Sequence, residues 1–463
     1  MQKVLKQPRV AEPRRAMRRR LATVVALACL LSGAGSLSAA GVKQTDVVRE
    51  AQAAFAQRQY DRALSLLEPS LKEGSPSSDV LSLAVKVFVK RGKPADALKA
   101  YERLEAALGK DEELLLREVA VGFITPVLTD MREQMRGAGY TALKELNSDD
   151  AVPYLEDGLS DGSGLVRALA AEGLGRLKAG QRSVRLRQAL DDQAAMVRAA
   201  ALKGLGRSGD RSVTALLEKA QSDEQASVRV AASGALVMLG RVEALAKIRE
   251  AAEAPNPEDR GAALRMLGDL KDRQALPILL KALSDIQPSV RGAAAMALGD
   301  LGLPEAVPAL ITALDDRIPA VRAAAAVSLG EIGASGSVPA LKKALANVNP
   351  AVRAATLAAL LRLGTPYSEC AEVVRGLTGS SEPGIRAAVG KALGNGRGED
   401  VIGALQLLLG DPLPRPRIAA ARSLGQIGGK ELAPMLKNAL KDQDDAVRAT
   451  VGGALGRVLY GHK

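Results

Sequence analysis

Apolar residues along this chain come in short runs at helical spacing, and the runs themselves recur. Around residues 303–333, Val307, Leu310, Ile311 and Leu314 stand three or four positions apart, as on one face of a helix. Asp315-Asp316-Arg317-Ile318-Pro319 predicts a turn. Pro319 suits the start of a second helix, because the N–H it lacks would be unpaired there anyway. Val321 to Ile332 reads as that second helix, rich in alanine and closed near Gly333. Alanine is the best helix former, and its small side chain lets neighbouring helices approach closely. Two helices per 31 residues make an αα-hairpin.

The hairpin returns. An arginine marks its second helix at Arg136, Arg167, Arg198, Arg229, Arg260, Arg291, Arg322, Arg353, Arg386, Arg417 and Arg448, always 31 residues apart except for 33 between Arg353 and Arg386. A leucine follows each arginine seven positions later, from Leu143 to Leu455. A fixed period of this length means one supersecondary unit stacked many times. No single unit can bury its own apolar face, so the expectation is an all-α solenoid, elongated, with its function along an extended surface.

An aspartate stands six positions before the arginine in eight of the eleven units: Asp130, Asp161, Asp192, Asp223, Asp285, Asp316, Asp411 and Asp442, with Ala254, Asn347 and Ser380 as the exceptions. The arginine falls in the first turn of a helix, where the dipole disfavours a cation. Its recurrence there predicts compensating acceptors, most simply aspartates of its own and adjacent repeats, joined in a ladder that fixes stacking. The rival reading is a row of phosphate-binding arginines, which pairing would prevent. The signature Asp316…Val321-Arg322…Leu329-Gly330, repeated from about 112 to 460, resembles HEAT repeats, specifically the phycobilisome-lyase HEAT-like variety. The resemblance implies a right-handed superhelix of about eleven helix pairs that binds partners on its inner face. It implies little about chemistry.

Residues 1–40 read as a signal peptide. Lys3, Lys6, Arg9, Arg14, Arg15, Arg18, Arg19 and Arg20 form a basic segment, Leu21 to Leu31 an apolar one, and Ser38-Ala39-Ala40 offers small residues for cleavage after Ala40. An uncleaved anchor and lipidation at Cys29 are the alternatives. Residues 43–110 carry a 34-residue period, with Tyr60-Asp61-Arg62-Ala63-Leu64 answering Pro94-Ala95-Asp96-Ala97-Leu98. This resembles two tetratricopeptide repeats, placed before a HEAT-like solenoid of residues 111–463. Phe55, Phe88 and Phe123 lie in or beside this section, and core packing explains them most simply.

Charge changes the picture less than it first suggests. The chain has a formal net charge of +12, but without the leader 56 basic and 51 acidic residues remain, a net of +5. With 2% aromatic residues and none set beside the arginines to stack bases, nucleic acid is not expected as a partner. The single histidine, His462, removes the commonest general base and metal ligand. No catalytic residue, metal or cofactor is therefore expected. The enzyme alternatives that the resemblance implies are a bilin lyase, which a leader argues against, and a di-iron hydroxylase, whose His-Glu pairs are absent. Cys370 alone remains after cleavage, so no intramolecular disulfide is expected.

Within the second helix two positions vary freely, four residues apart and hence on one face. The first reads Glu172, Lys203, Gly234, Arg265, Met296, Val327, Ala358, Lys391, Arg422, Gly453; the second reads Arg176, Arg207, Met238, Asp269, Asp300, Glu331, Arg362, Asn395, Gln426, Arg457. The middle of this stripe is acidic with apolar neighbours, and both ends are basic. A solvated face with chance charges is one reading. The other is a partner-binding surface at Arg265, Asp269, Met296, Asp300, Val327 and Glu331, suited to a protein segment with basic and apolar residues. The expectation is a periplasmic or secreted, non-catalytic protein-interaction scaffold. Binding of an envelope polymer or membrane surface is a further alternative.

Overall fold

The computed structural model describes residues 39–461, all of whose regular elements are helices. The leader, apart from Ala39 and Ala40, lies outside the described residues, as do Cys29 and His462. The chain divides into two compact units, the first ending at Val87 and the second beginning at Phe88. The division falls within helix Ser78–Lys90, inside the 34-residue repeat section rather than at its end.

The first unit contains helices Ala39–Ala56 and Tyr60–Lys72 and most of Ser78–Lys90. Ala51, Ala54, Ala63, Leu67, Val80 and Ala84 are buried, and the Phe55 and Tyr60 rings meet at 5.4 Å between centroids.

The second unit, taken by itself, opens with helix Pro94–Leu108 and continues as eleven helix pairs. In the pair around residue 320, a 3₁₀ turn (Pro304–Ala306) leads into a short first helix (Val307–Ala313), and a turn leads into the second helix (Pro319–Ile332). Gly333 ends that helix in the left-handed conformation at φ 76°, which glycine adopts without a Cβ penalty. The 33-residue interval belongs to a longer first helix, Tyr367–Thr378, which has no 3₁₀ turn before it. Each pair buries the leucine seven positions after the arginine, from Leu143 to Leu455, at 3% exposure or less. The opposing first helices contribute Leu155, Leu186, Leu217, Ile248, Leu279, Leu310, Leu341, Val374, Leu405 and Leu436.

Second helices pack on second helices of the neighbouring repeats, while first helices touch mainly their own partner. The closest approaches are made where side chains are missing. A Cβ on Gly175 would lie 2.7 Å from the Gly204 Cα, one on Gly268 2.7 Å from the Ala297 Cα, and one on Gly330 2.8 Å from the Ala359 Cα. The second helices thus form a tight inner course and the first helices a looser outer one, so the array curves.

The curvature runs to completion. The last second helix, Asp445–Tyr460, packs along the first repeat's two helices, Glu113–Ile124 and Glu133–Leu146, as closely as neighbours pack elsewhere. A Cβ on Gly452 would meet the Ala120 carbonyl at 2.4 Å, and one on Gly453 the Ala142 carbonyl at 2.7 Å. Arg117 donates to the Leu459 carbonyl and lies 4.5 Å over the Tyr460 ring. Lys430 pairs with Glu113 at 2.6 Å, Lys437 with Glu105 at 2.5 Å, and Lys441 with Glu102 at 2.7 Å. The repeat array is a solenoid, as its period predicts, but a closed ring rather than the elongated body expected. Pattern within one repeat gives the unit; the small angle between units, summed over eleven, decides closure.

Candidate functional site

The arginine ladder comes first because it fixes the ring's geometry. Arg136, Arg167, Arg198, Arg260, Arg291, Arg386 and Arg417 each grip the aspartate of the following repeat with two bonds. Nε donates to Oδ2 at 2.6–2.8 Å and Nη2 to Oδ1 at 2.8–3.0 Å. The acceptors are Asp161, Asp192, Asp223, Asp285, Asp316, Asp411 and Asp442. The arginine's own repeat supplies a backbone carbonyl instead: Nη1 donates to the residue six positions back at 2.6–3.0 Å in every unit but that of Arg353. Each of these aspartates also accepts a backbone N–H two residues on, as Asp192 does from Ala194 at 2.8 Å. The arginine hydrogen bond is the main force holding Asp192, Asp223, Asp316 and Asp411 below the ordinary carboxylate range.

The three sequence exceptions are three weak joints. Facing Ala254, Arg229 reaches Asp259 at only 3.4 Å, and a hollow of about 520 Å³ opens beside it. Facing Asn347, Arg322 bonds Oδ1 at 3.4 Å. Nε of Arg322 and Nε of Arg353 are buried without a partner. The seam has no rung either, because Arg448 holds Asp445 and Asp130 holds Arg132 at 2.9 Å, which depresses the Asp130 carboxyl to about 2.

The variable stripe lies along the inner course. Most of its side chains are exposed or half-buried; Gly234 and Gly453 are the buried members. Over Gly234, Lys203 reaches past a whole repeat to Asp269 at 2.8 Å. Over Gly453, Arg422 reaches across the seam to Glu145 at 2.8 Å. Such contacts between non-adjacent repeats need side chains that converge toward the ring's axis. Glu145 stands nine residues after Arg136, the register of the stripe's second position, yet the sequence comparison began at Glu172 and missed it.

Of the six residues singled out, Arg265, Asp269, Met296 and Asp300 are exposed, while Val327 and Glu331 are half-buried. Met296, Val327 and Glu331 share a hollow of about 380 Å³ with Arg362, Lys391 and Gln426. Burial raises the Asp300 carboxyl above its usual range, with Asp269 adding to it; burial raises Glu331, with Asp300 adding to it. Asp300 thus feels Asp269 on one side and acts on Glu331 on the other, in one acidic arc whose Asp269 is paired with Lys203. Among the described residues, no group of His, Cys, Asp or Glu side chains could hold a metal ion, and no helix is long and apolar enough to cross a membrane.

Several solved structures are similar. Human deoxyhypusine hydroxylase in complex with glycerol is 24% identical over 55% of this chain and 98% of its own, with a TM-score of 0.32. The complex of CpcE and CpcF of phycocyanin lyase from Nostoc is 20% identical over 56% and 94%, with a TM-score of 0.34. A Kap121p mutant is 13% identical over 89% and 56%, with a TM-score of 0.35. No curated protein matches in sequence. The family described as HEAT repeats matches residues 183–255, 246–330, 308–369 and 401–461, more than half of the sequence. The chain belongs to the HEAT-repeat family.

Proposed function

We propose that the protein is an exported, non-catalytic scaffold that holds a segment of a protein partner against the inner wall of its ring. The observation that carries this reading is the acidic arc Asp269, Asp300 and Glu331, set beside Met296 and Val327 on the wall's variable, open stripe. Asp300 and Glu331, raised by burial and by a neighbouring carboxylate, gain from a cation brought beside them, as Asp269 already has one in Lys203. A segment with basic and apolar residues fits that chemistry. The non-catalytic part rests on the ladder: its aspartates are committed to arginines and backbone N–H groups, which takes them out of general-base chemistry. The export part rests on the basic and apolar leader ending at Ala40.

The test is a pull-down from the cell envelope with the mature chain as bait, in parallel with the triple variant Asp269→Lys/Asp300→Lys/Glu331→Lys. The variant should fold, since Asp269 and Asp300 are exposed and the half-buried Glu331 carboxylate has an oxygen without a hydrogen-bond partner to lose. It should lose the protein captured by the parent, mainly through a slower on-rate. Equal capture by both would remove the acidic arc from consideration, and recovery of only lipid or glycan would favour an envelope-polymer binder.

A further inference from the structure

Along the sequence the stripe has two basic ends far apart. Ring closure brings them together. Lys391, Arg422 and Arg457 come from the last three repeats, Arg176 from the second, and Glu145 from the first lies between them. The cations around the Glu145 carboxylate are Arg422, Lys144, Arg457 and Arg176; Lys144 is already held by Glu172 at 2.9 Å. Glu145 is paired with Arg422. Among the described residues, no carboxylate pairs with Lys391, Arg415 or Arg457. These three cations line one hollow of about 550 Å³ over the seam, together with Arg422, Glu145 and the apolar Ala387, Ala388, Ile418, Ala419 and Ala454. The hollow thus carries four cations against one carboxylate.

The bore's width limits what can meet this surface. Neighbouring helices set ~8–10 Å apart place eleven inner helices roughly 14–18 Å from the ring axis. Helix bodies ~10–12 Å across, side chains included, then leave a bore on the order of 20 Å. One helix or one extended chain fits; a folded domain does not. The acidic arc occupies the fifth to seventh repeats and the seam joins the eleventh to the first; Lys391, in the ninth, borders both hollows.

We propose that the seam hollow is a second recognition surface, which takes the carboxylates of an acidic polypeptide segment. The ring would then grip a partner of opposed charge: its acidic face on Lys391, Arg415 and Arg457, its basic face on Asp269, Asp300 and Glu331. Both guanidinium groups offer a planar fork of donors that matches a carboxylate, and the alanine floor accepts the aliphatic part of a glutamate.

This rests on the scaffold reading, and separate probes keep the two apart. Labelled twelve-residue peptides of alternating Glu and Ala, and of alternating Lys and Ala, are titrated into the mature chain and followed by fluorescence anisotropy. The acidic peptide should bind and weaken as salt is raised. Lys391→Gln/Arg415→Gln/Arg457→Gln should lower its affinity at least tenfold and should not weaken the basic peptide, because Lys391 opposes a cation in the hollow it shares with Glu331. Arg457→Lys alone, which keeps the charge, should retain most of the binding, and Arg317→Gln on an exposed turn all of it. The acidic-arc variant should lose only the basic peptide. The proposal is overturned if the acidic peptide does not bind, if the triple variant binds it as well as the parent, or if pyrophosphate binds where the peptide cannot. Failure of the basic peptide to bind the parent chain, with the acidic peptide bound, would sink the acidic-arc reading and leave this one standing.

Discussion

At the scale of single residues, position in the ladder matters more than residue type. Arg167 is buried, gripped by Asp192 and by two backbone carbonyls. Arg167→Ala would strand the Asp192 carboxylate among packed turns, and breaking such a pair costs on the order of 3 kcal/mol. Among the described residues Arg353 has no carboxylate partner, and its Nε is unpaired, so Arg353→Ala should cost far less. Thermal melting of the two variants checks the contrast; equal losses would mean that the arginine stem, not the pair, does the stabilising. Acid should act through the same aspartates. The carboxyls of Asp161, Asp192, Asp223, Asp285, Asp316 and Asp411 sit below the unfolded value of about 3.9, so their stabilisation is present above that value and disappears as pH falls through the depressed folded values. Glu145, Asp300 and Glu331 have the opposite sign: raised by burial, they favour the folded state when protonated and work against it as pH rises through their values. Stability measured on acidification should hold or rise slightly through the weakly acid range and then drop below about pH 4. Replacing Asp192 and Asp316 by Asn should flatten the drop.

At the scale of elements, the inner helices are defined by what they leave out. Gly330 faces the Ala359 Cα at 2.8 Å from where a Cβ would be, whereas Gly292, also inside an inner helix, has nothing within 4 Å. Gly330→Ala should push two repeats apart and cost about 1–3 kcal/mol. Gly292→Ala should stabilise by about 0.5–1 kcal/mol through helix propensity. Melting temperatures moving the same way in both would contradict the packing argument. The period, the αα-hairpin, the buried leucines and the Asp–Arg spacing could all be read from the chain, because each is set within one repeat or between two neighbours. Closure could not, because it depends on the tilts at all the joints summing to one full turn. That is why the stripe's basic ends read as separate along the chain; Glu145, nine residues after Arg136, is legible from spacing alone, but its place between those ends is not.

At the scale of the whole repeat unit, the seam carries no ladder rung and is held by other means: helix packing around Gly452 and Gly453, and the lysine pairs to Glu102, Glu105 and Glu113. Reversing the three lysines as Lys430→Glu/Lys437→Glu/Lys441→Glu sets like charges across the joint. Hydrogen exchange should then quicken in helices Glu113–Ile124 and Asp445–Tyr460 before it does around residue 300. Uniform quickening would mean the seam is no weaker than the rest.

Closure also fixes a number. An open stack can gain or lose a unit and remain the same kind of object, because each unit answers only to its neighbours. A circle answers to its total: eleven joints must together turn through one full revolution, so each carries about one-eleventh of it. Excising residues 288–318, a whole unit in register, would leave every surviving joint content and the sum short. Either the remaining ten must bend further, at the cost of their glycine contacts, or the ends must part. Small-angle scattering would distinguish a smaller annulus from an open arc. In either case the gene cannot drift in copy number by slippage, as tandem arrays commonly do, without the protein losing its circumference.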